Sequence, residues 1–255
     1  MSDIRFLLKF GEREYMERFA CGNLYFSNAI TFRYYEEQLR IKGQGDRLEG
    51  GSMMHTHNLT IKDNVSGETV KSGVSGSFPV HYDPANLIPV FCMFCCFDKD
   101  CSINTNGSQS ISLSDDIKQN IITHFPKADT VAIVDNPYEF IDAVRGSFDT
   151  ECKSDIVNYF HVYGIEGKGG TALDKRYMEY LTQDTPKEKV EGGTAYSFNA
   201  RYVYRSLLCK DVFFNKEQEY RFLLPDIELD EPKEFSVKLC ERIELQDLDS
   251  FFGNK

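Results

Sequence analysis

Apolar positions along the chain change period several times, and each change predicts an element. Residues 4–10, Ile-Arg-Phe-Leu-Leu-Lys-Phe, suit a first strand that Gly11 breaks. Over 12–21 the spacing turns helical, with Tyr15, Met16 and Phe19 on one face and Gly22-Asn23 as the stop. Residues 24–27 read as a second strand, continuing weakly to Phe32. Residues 33–58 are polar and glycine-rich and predict a long loop, while 57–62 and 68–74 predict a hairpin around 64–67. A buried strand over 88–97, a helix over 113–124, a strand over 130–134 and a helix from Asn136-Pro137 to Val144 follow. The pattern closes with a strand over 155–163, a short helix over 173–181, a charged loop over 184–193, and strands over 219–224 and 234–239. Strands with scattered helices and no regular β-α-β alternation predict an α+β fold.

Length and composition narrow the class. At 255 residues, 41% of them hydrophobic, the chain can fill one sizeable core, so a single domain over 1–255 is expected. No apolar run approaches the roughly 20 residues that cross a bilayer, and the first residues lack the basic-then-apolar pattern of a signal peptide. A cytoplasmic protein without a membrane partner is therefore expected. The net charge of −11 argues against a long-range field that gathers nucleic acid, though a small basic groove remains compatible. Residues 226–255 concentrate acid, nine Asp/Glu against four Lys/Arg, and predict a solvated face.

Eight cysteines include Cys92, Cys95, Cys96 and Cys101. Cys92 and Cys95 form a C-x-x-C element inside the predicted strand, where alternation points them to opposite faces. No second pair follows at zinc spacing, so reduced core thiols are expected and no metal site. The glycine-rich stretches around Gly43-Gln-Gly45 and 164–170 have neither Walker nor Rossmann spacing, and no His has an evident Cys or Asp partner. Glu36, Glu37, Asp46 and Glu49 form an acidic group that fits either solvated loop residues or a Mg²⁺-dependent nuclease cluster.

Two constellations carry chemistry. Lys216-Glu-Gln-Glu-Tyr-Arg-Phe-Leu-Leu224 opens an apolar strand with alternating acids. As structure, Glu217 and Glu219 share a strand face and Arg221 neutralises both. As chemistry, a carboxylate at a strand end holds a sugar hydroxyl or a developing cation. The second constellation is Gly22-Asn-Leu-Tyr-Phe-Ser27, with Tyr34 and Tyr35 beyond it.

Gly22-Asn-Leu-Tyr-Phe-Ser27 resembles the second-strand motif of poly(ADP-ribose) polymerase-like transferases, Gly-x-x-Tyr-Phe-small with a Tyr downstream. The chain also resembles a broad group of bacterial proteins through Leu8-Lys-Phe10, Cys95-Cys-Phe97, and Lys210 with Glu217-Gln-Glu-Tyr-Arg221. That group is similar to phage-defence toxin transferases, among them mRNA-modifying toxins of toxin–antitoxin–chaperone systems. The resemblance implies an ADP-ribosyltransferase-like split β-sandwich with peripheral helices and NAD as substrate. It implies Glu219 and Glu217 as catalytic carboxylates, and Lys9, Tyr25, Ser27 and Tyr34 as the NAD-binding set. It further implies a macromolecular acceptor, RNA or protein, an antiviral or toxin role, and an antitoxin or chaperone partner. The chain departs from the family where Lys9 stands for its His and where Phe10-Gly11 replaces Gly-(Ser/Thr). A non-catalytic binding module of the same fold is the alternative that this departure favours.

Overall fold

The opening apolar run forms β1, Phe6–Gly11, and the helical spacing after it forms α1, Arg13–Ala20, which buries Met16 and Phe19. Gly22 ends α1 at φ +88°, where an added Cβ would lie 2.3 Å from the Val237 carbonyl oxygen. Only glycine fits both constraints, and the chain passes directly into β2, Asn23–Phe26. The strand does not continue to Phe32. Buried Asn28 accepts the Thr31 N–H at 2.8 Å, donates to the Leu229 carbonyl at 2.6 Å, and starts α2, Ala29–Leu39. The computed structural model describes residues 3–39, 46–63, 65–103, 109–167, 170–190, 193–196, 198–239 and 242–253. The long loop expected over 33–58 is thus largely helix and strand among those residues, while Gly43-Gln-Gly45 lies outside them.

The predicted hairpin is longer than its apolar signal. β3, Gly51–Lys62, and β4, Thr69–His81, pair as an arm whose outer part is mostly exposed, so polarity masked its strand character. β5, Val90–Cys96, is buried at six of its seven positions, as a central strand requires. A small ladder of β6, Cys101–Ile103, and β7, Gln109–Ile111, leads to α3, Asp115–His124. β8, Thr130–Val134, and α4, Pro137–Arg145, match the prediction within a residue. The strand expected over 155–163 is broken at Val157 into β9, Lys153–Ile156, and β10, Asn158–Phe160.

Next come the ladder of β11, Ile165–Gly167, with β12, Gly170–Ala172, then α5, Lys175–Leu181. The expected loop over 184–193 instead contributes β13, Lys187–Val190, to a hairpin with β14, Gly193–Tyr196. A 3-10 segment, Ala200–Leu208, precedes β15, Cys209–Asp211, and a second, Val212–Glu217, precedes β16, Glu219–Leu223. β17, Lys233–Ser236, pairs with β2, and β18, Glu244–Asp247, runs into α6, Leu248–Phe252. β18 and α6 have no counterpart in the sequence pattern, because their apolar positions are too few to show a period.

The result is an α+β architecture around a six-stranded antiparallel sheet ordered β18-β8-β1-β5-β16-β9. On one face Leu7, Phe91, Met93, Tyr220 and Phe222 pack against α1, α4, β2 and β17. On the other face α3 and α6 cover Leu8, Phe10 and Phe94, while the 200–208 segment covers Val90 and Leu223. Between these two covers the sheet is left open to a cavity. No helix among the described residues is long and apolar enough to cross a membrane.

Candidate functional site

The cavity begins where two central strands part. β1 pairs with β5 only through Phe6, Leu7 and Leu8, yet continues alongside β8 to Gly11, while β5 continues alongside β16 to Val90. A wedge opens between them. At its far end β2 fills the gap, with Ser27 and Val90 exchanging N–H and C=O bonds at 2.9 and 2.8 Å. In between, the Lys9 ammonium donates to the Cys92 carbonyl at 2.6 Å and lies 4.8 Å from the centre of the Phe91 ring. Lys9 therefore satisfies a carbonyl that the parted ladder leaves without a strand partner. Burial pushes the Lys9 amine down from its ordinary value.

Above the wedge lies a cavity of about 520 Å³, within the roughly 300–1,000 Å³ range of small-molecule sites. One wall is a buried ionic chain. Arg221, 1% exposed, holds both oxygens of Glu49 at 2.5 and 3.0 Å, the Leu207 carbonyl at 2.5 Å, and Glu219 at 2.5 Å. Lys210 then joins Glu219, at 2.9 Å, to Glu217, and lies 4.4 Å from the Phe214 ring centre. So buried a set of ions persists only because each charge has fixed partners.

The two carboxylates that flank Gln218 are driven apart. Burial opposes ionisation of Glu219, but Arg221 and Lys210 outweigh it and hold this carboxyl well below the ordinary range. Burial pushes Glu217 well up; Lys210 opposes this, and the charge on Glu219 adds to it. The opposite shifts favour the ionised form of Glu219 and the protonated form of Glu217. Neighbouring acids with opposite shifts are the usual source of divided catalytic roles.

Glu217 and Glu219 do not share a strand face, contrary to expectation. Glu217 ends the 3-10 segment, and Gln218 adopts a left-handed backbone, φ +41°, before β16 begins. Gln218 is held there by bonds from its side chain to the Cys95 carbonyl and to Asp100, both at 2.9 Å. A non-glycine residue in this region is strained, and such strain collects at sites where side chains must be aimed. Here the turn lets both carboxylates meet Lys210. Arg221 neutralises Glu219 and Glu49 rather than Glu219 and Glu217.

The cavity lining brings together Lys9, Tyr25, Ser27, Glu217 and Glu219. Tyr25 is about half exposed, and the buried Ser27 hydroxyl has no protein partner among the described residues. Tyr34 does not line the cavity, because successive helical residues of α2 diverge; its neighbour Tyr35 does. Of the acids weighed as a nuclease cluster, Glu37 is exposed and lies with Glu36 on α2, whereas Asp46 and Glu49 are not solvated. Asp46 and Glu49 are 2% and 1% exposed, both Glu49 oxygens are engaged by Arg221, and Glu36 accepts the Arg47 N–H. No group of three or more His, Cys, Asp or Glu among the described residues is arranged to hold a metal ion. Cys92 faces the cavity side and Cys95 the opposite core, and burial pushes the Cys92 thiol up to about 12.

Sequence reasoning missed three contributors: Lys210 as the bridge between the carboxylates, Glu49 as the second anion on Arg221, and His124. The His124 signal was legible, since Ile117, Ile121 and His124 recur at helical spacing on the buried face of α3. No family model, no curated protein and no solved structure matches the chain.

Proposed function

We propose that the protein is an NAD-dependent ADP-ribosyltransferase of the split-sandwich type, modifying a macromolecule and serving as a toxin or antiviral effector. The observation that carries this reading is the meeting of β1, β2 and β16 at one cavity. Lys9, Tyr25 and Glu219 come from three distant parts of the chain, and all three line it. The parted β1 and β5 supply a second support. The Gly11 carbonyl bonds to the β8 side, so ladder alternation turns the peptide groups of Phe10 toward the wedge. An amide-bearing ring such as nicotinamide finds its hydrogen bonds there.

The chemistry follows from the charges. Breaking the bond between C1′ and the nicotinamide nitrogen sends the electron pair to the leaving ring and positive charge to the ribose. Glu219 is ionised, fixed by Arg221 and Lys210, and retains lone pairs for a ribose hydroxyl. A preplaced anion in a dry site stabilises that developing cation. Tyr25 and Tyr35 offer flat faces at the mouth, where a ring can stack. Glu217, whose protonated form burial favours, is held beside Glu219 by their shared partner Lys210.

One observation favours a second reading, a nucleotide-binding module without turnover. Lys9 stands at the wedge already bonded to Cys92, where the family carries a His. Incubation with NAD labelled in its adenylate half, together with total cell RNA, protein and DNA, separates the two. Label on a macromolecule is the expected result. Retained binding of NAD with neither label transfer nor nicotinamide release would establish the module.

A further inference from the structure

Three tyrosines reach the cavity mouth from three elements: Tyr15 from α1, Tyr25 from β2 and Tyr35 from α2. They are 53%, 55% and 39% exposed. Burial raises the Tyr25 phenol, and Tyr35, Tyr15 and Glu234 add to it, so Tyr15 and Tyr35 stand close to Tyr25. Tyr35 meets the ring of Tyr34 at 6.5 Å, but among the described residues Tyr15 and Tyr25 pack against no other ring. Aromatic faces held open beside a cavity mark a place where a ligand or partner lands. Tyr15 has no part in the hold on NAD described above.

The charges around the mouth decide what lands. Of the cations that line the cavity, Lys9 is bonded to the Cys92 carbonyl, Lys210 to Glu217 and Glu219, and Arg221 to Glu49 and Glu219. Lys127 is the remaining one, and NAD alone brings two phosphates to meet it. Arg18, one turn on from Tyr15, is tied to Glu234 at 2.7 Å. Glu234 lies directly opposite Tyr25 in the pairing of β2 with β17, so the two side chains are neighbours on one face. Glu12 is exposed and lines the cavity just ahead of α1. A nucleic-acid strand needs its phosphates neutralised by free Lys or Arg. The cavity lining of this chain, whose net charge is −11, offers none beyond Lys127 among the described residues. A cation finds the reverse: electron-rich ring faces with carboxylates beside them.

We propose that this mouth docks a lysine or arginine side chain of a protein acceptor. The macromolecule modified is then a protein with a basic segment beside the modified residue, and not RNA. The inference rests on the transferase reading. The pyrophosphate of NAD makes the mouth more negative, which repels a polynucleotide and draws a basic segment. The docked cation lies against the ring of Tyr15 and its two neighbours, with Glu12 and Glu234 beside it. It positions the acceptor and is not the nucleophile, so it keeps its charge throughout.

The test uses the whole protein at about 0.15 M salt, with a fluorescent oligolysine peptide and a fluorescent single-stranded RNA of equal length. Anisotropy reads their binding in the presence of carba-NAD, whose carbocyclic ring resists cleavage. The peptide should bind more tightly than the RNA. Tyr15→Leu should weaken the peptide about 10-fold, while Tyr15→Phe, which keeps the ring face, should retain it. Neither substitution alters charge, so general attraction to an acidic chain cannot separate them, and Tyr15 is exposed enough for both variants to fold. Nicotinamide release from NAD to water should be unchanged in both. RNA bound more tightly than the peptide, or equal peptide affinity in the two variants, would overturn the docking. A matching loss of nicotinamide release in Tyr15→Leu would overturn it too, by assigning the ring to NAD. Failure of the wild type to release nicotinamide at all would overturn the transferase reading, while the peptide affinities still report on the mouth by themselves.

Discussion

On one face of β16, Tyr220 and Phe222 join Phe91 and Met93 of β5 in an aromatic core. On the other face, Glu219 and Arg221 stand beside Cys92 at a cavity. The two faces are alternate residues of the same strands, yet one holds rings in contact and the other holds ions. Dry packing on the first face needs only shape and apolar area. The second face needs every charge answered by another, and the partners come from far along the chain: Glu49 before β3, Lys210 on β15 and Leu207 in the 3-10 segment. A period of two assigns residues to faces, but it does not say which distant groups will balance them.

The largest expected effect lies on the charged face. Arg221→Leu leaves Glu49 and Glu219 without their shared cation, and removing one member of a buried ion set costs about 3–5 kcal/mol. Thermal melts should show a large loss at neutral pH that shrinks on acidification, because the orphaned carboxylates can then protonate. A melt as stable as wild type at pH 7 would show that the charges are balanced some other way. On the aromatic face, Phe222→Leu should cost roughly 1–2 kcal/mol. Its penalty should not vary with pH, and NAD turnover per folded molecule should be unchanged.

Asp46 gives the most specific effect, one read as a change with pH. Burial, with Glu49 adding to it, raises its carboxyl to about 7, against about 3.9 in an unfolded chain. The folded state therefore binds a proton that the unfolded state has lost over that window. The favourable contribution is complete below the unfolded value and falls away as pH rises toward the folded one. Asp46→Asn, which cannot ionise, should gain stability relative to wild type between pH 4 and pH 7. Urea titrations at both pH values read this difference, and a constant gap would mean that Asp46 titrates normally.

Much of the apolar face was legible beforehand. β8 and α5 emerged from the apolar pattern, α4 from its Asn136-Pro137 start, and β5 from an uninterrupted apolar run. Gly22 marked the turn into β2, where its positive φ and the Val237 carbonyl leave no room for a side chain. The charged face was legible only in part. Glu217, Glu219, Lys9, Tyr25 and Ser27 were picked out as site residues, but the geometry joining them was not. Nothing in Lys-Glu-Gln-Glu-Tyr-Arg announces a left-handed Gln218, so the two acids were placed on one strand face. α2 was lost because its start depends on the capping bonds of Asn28 and its surface is polar. Tyr34 was chosen over Tyr35 for the same reason, since a helix sends neighbours apart where an extended loop would not fix either. Glu49 and Asp46 looked like solvated acids because burial of a charge depends on partners that no local pattern shows.

The central claim is that Glu219 acts on NAD and does not merely balance Arg221. Glu49 provides the control, because it holds the same guanidinium and is the more hidden of the two, 1% against 13% side-chain exposure. Glu219→Gln and Glu49→Gln each weaken one arm of the Arg221 set, so their melting temperatures should fall by similar amounts. Nicotinamide release from NAD should then be measured for wild type and both variants, at a temperature where all are folded. The account predicts a loss of about 10²–10³-fold for Glu219→Gln, and little change for Glu49→Gln. Equal rates in the two variants would contradict it and leave Glu219 a member of a structural ion chain.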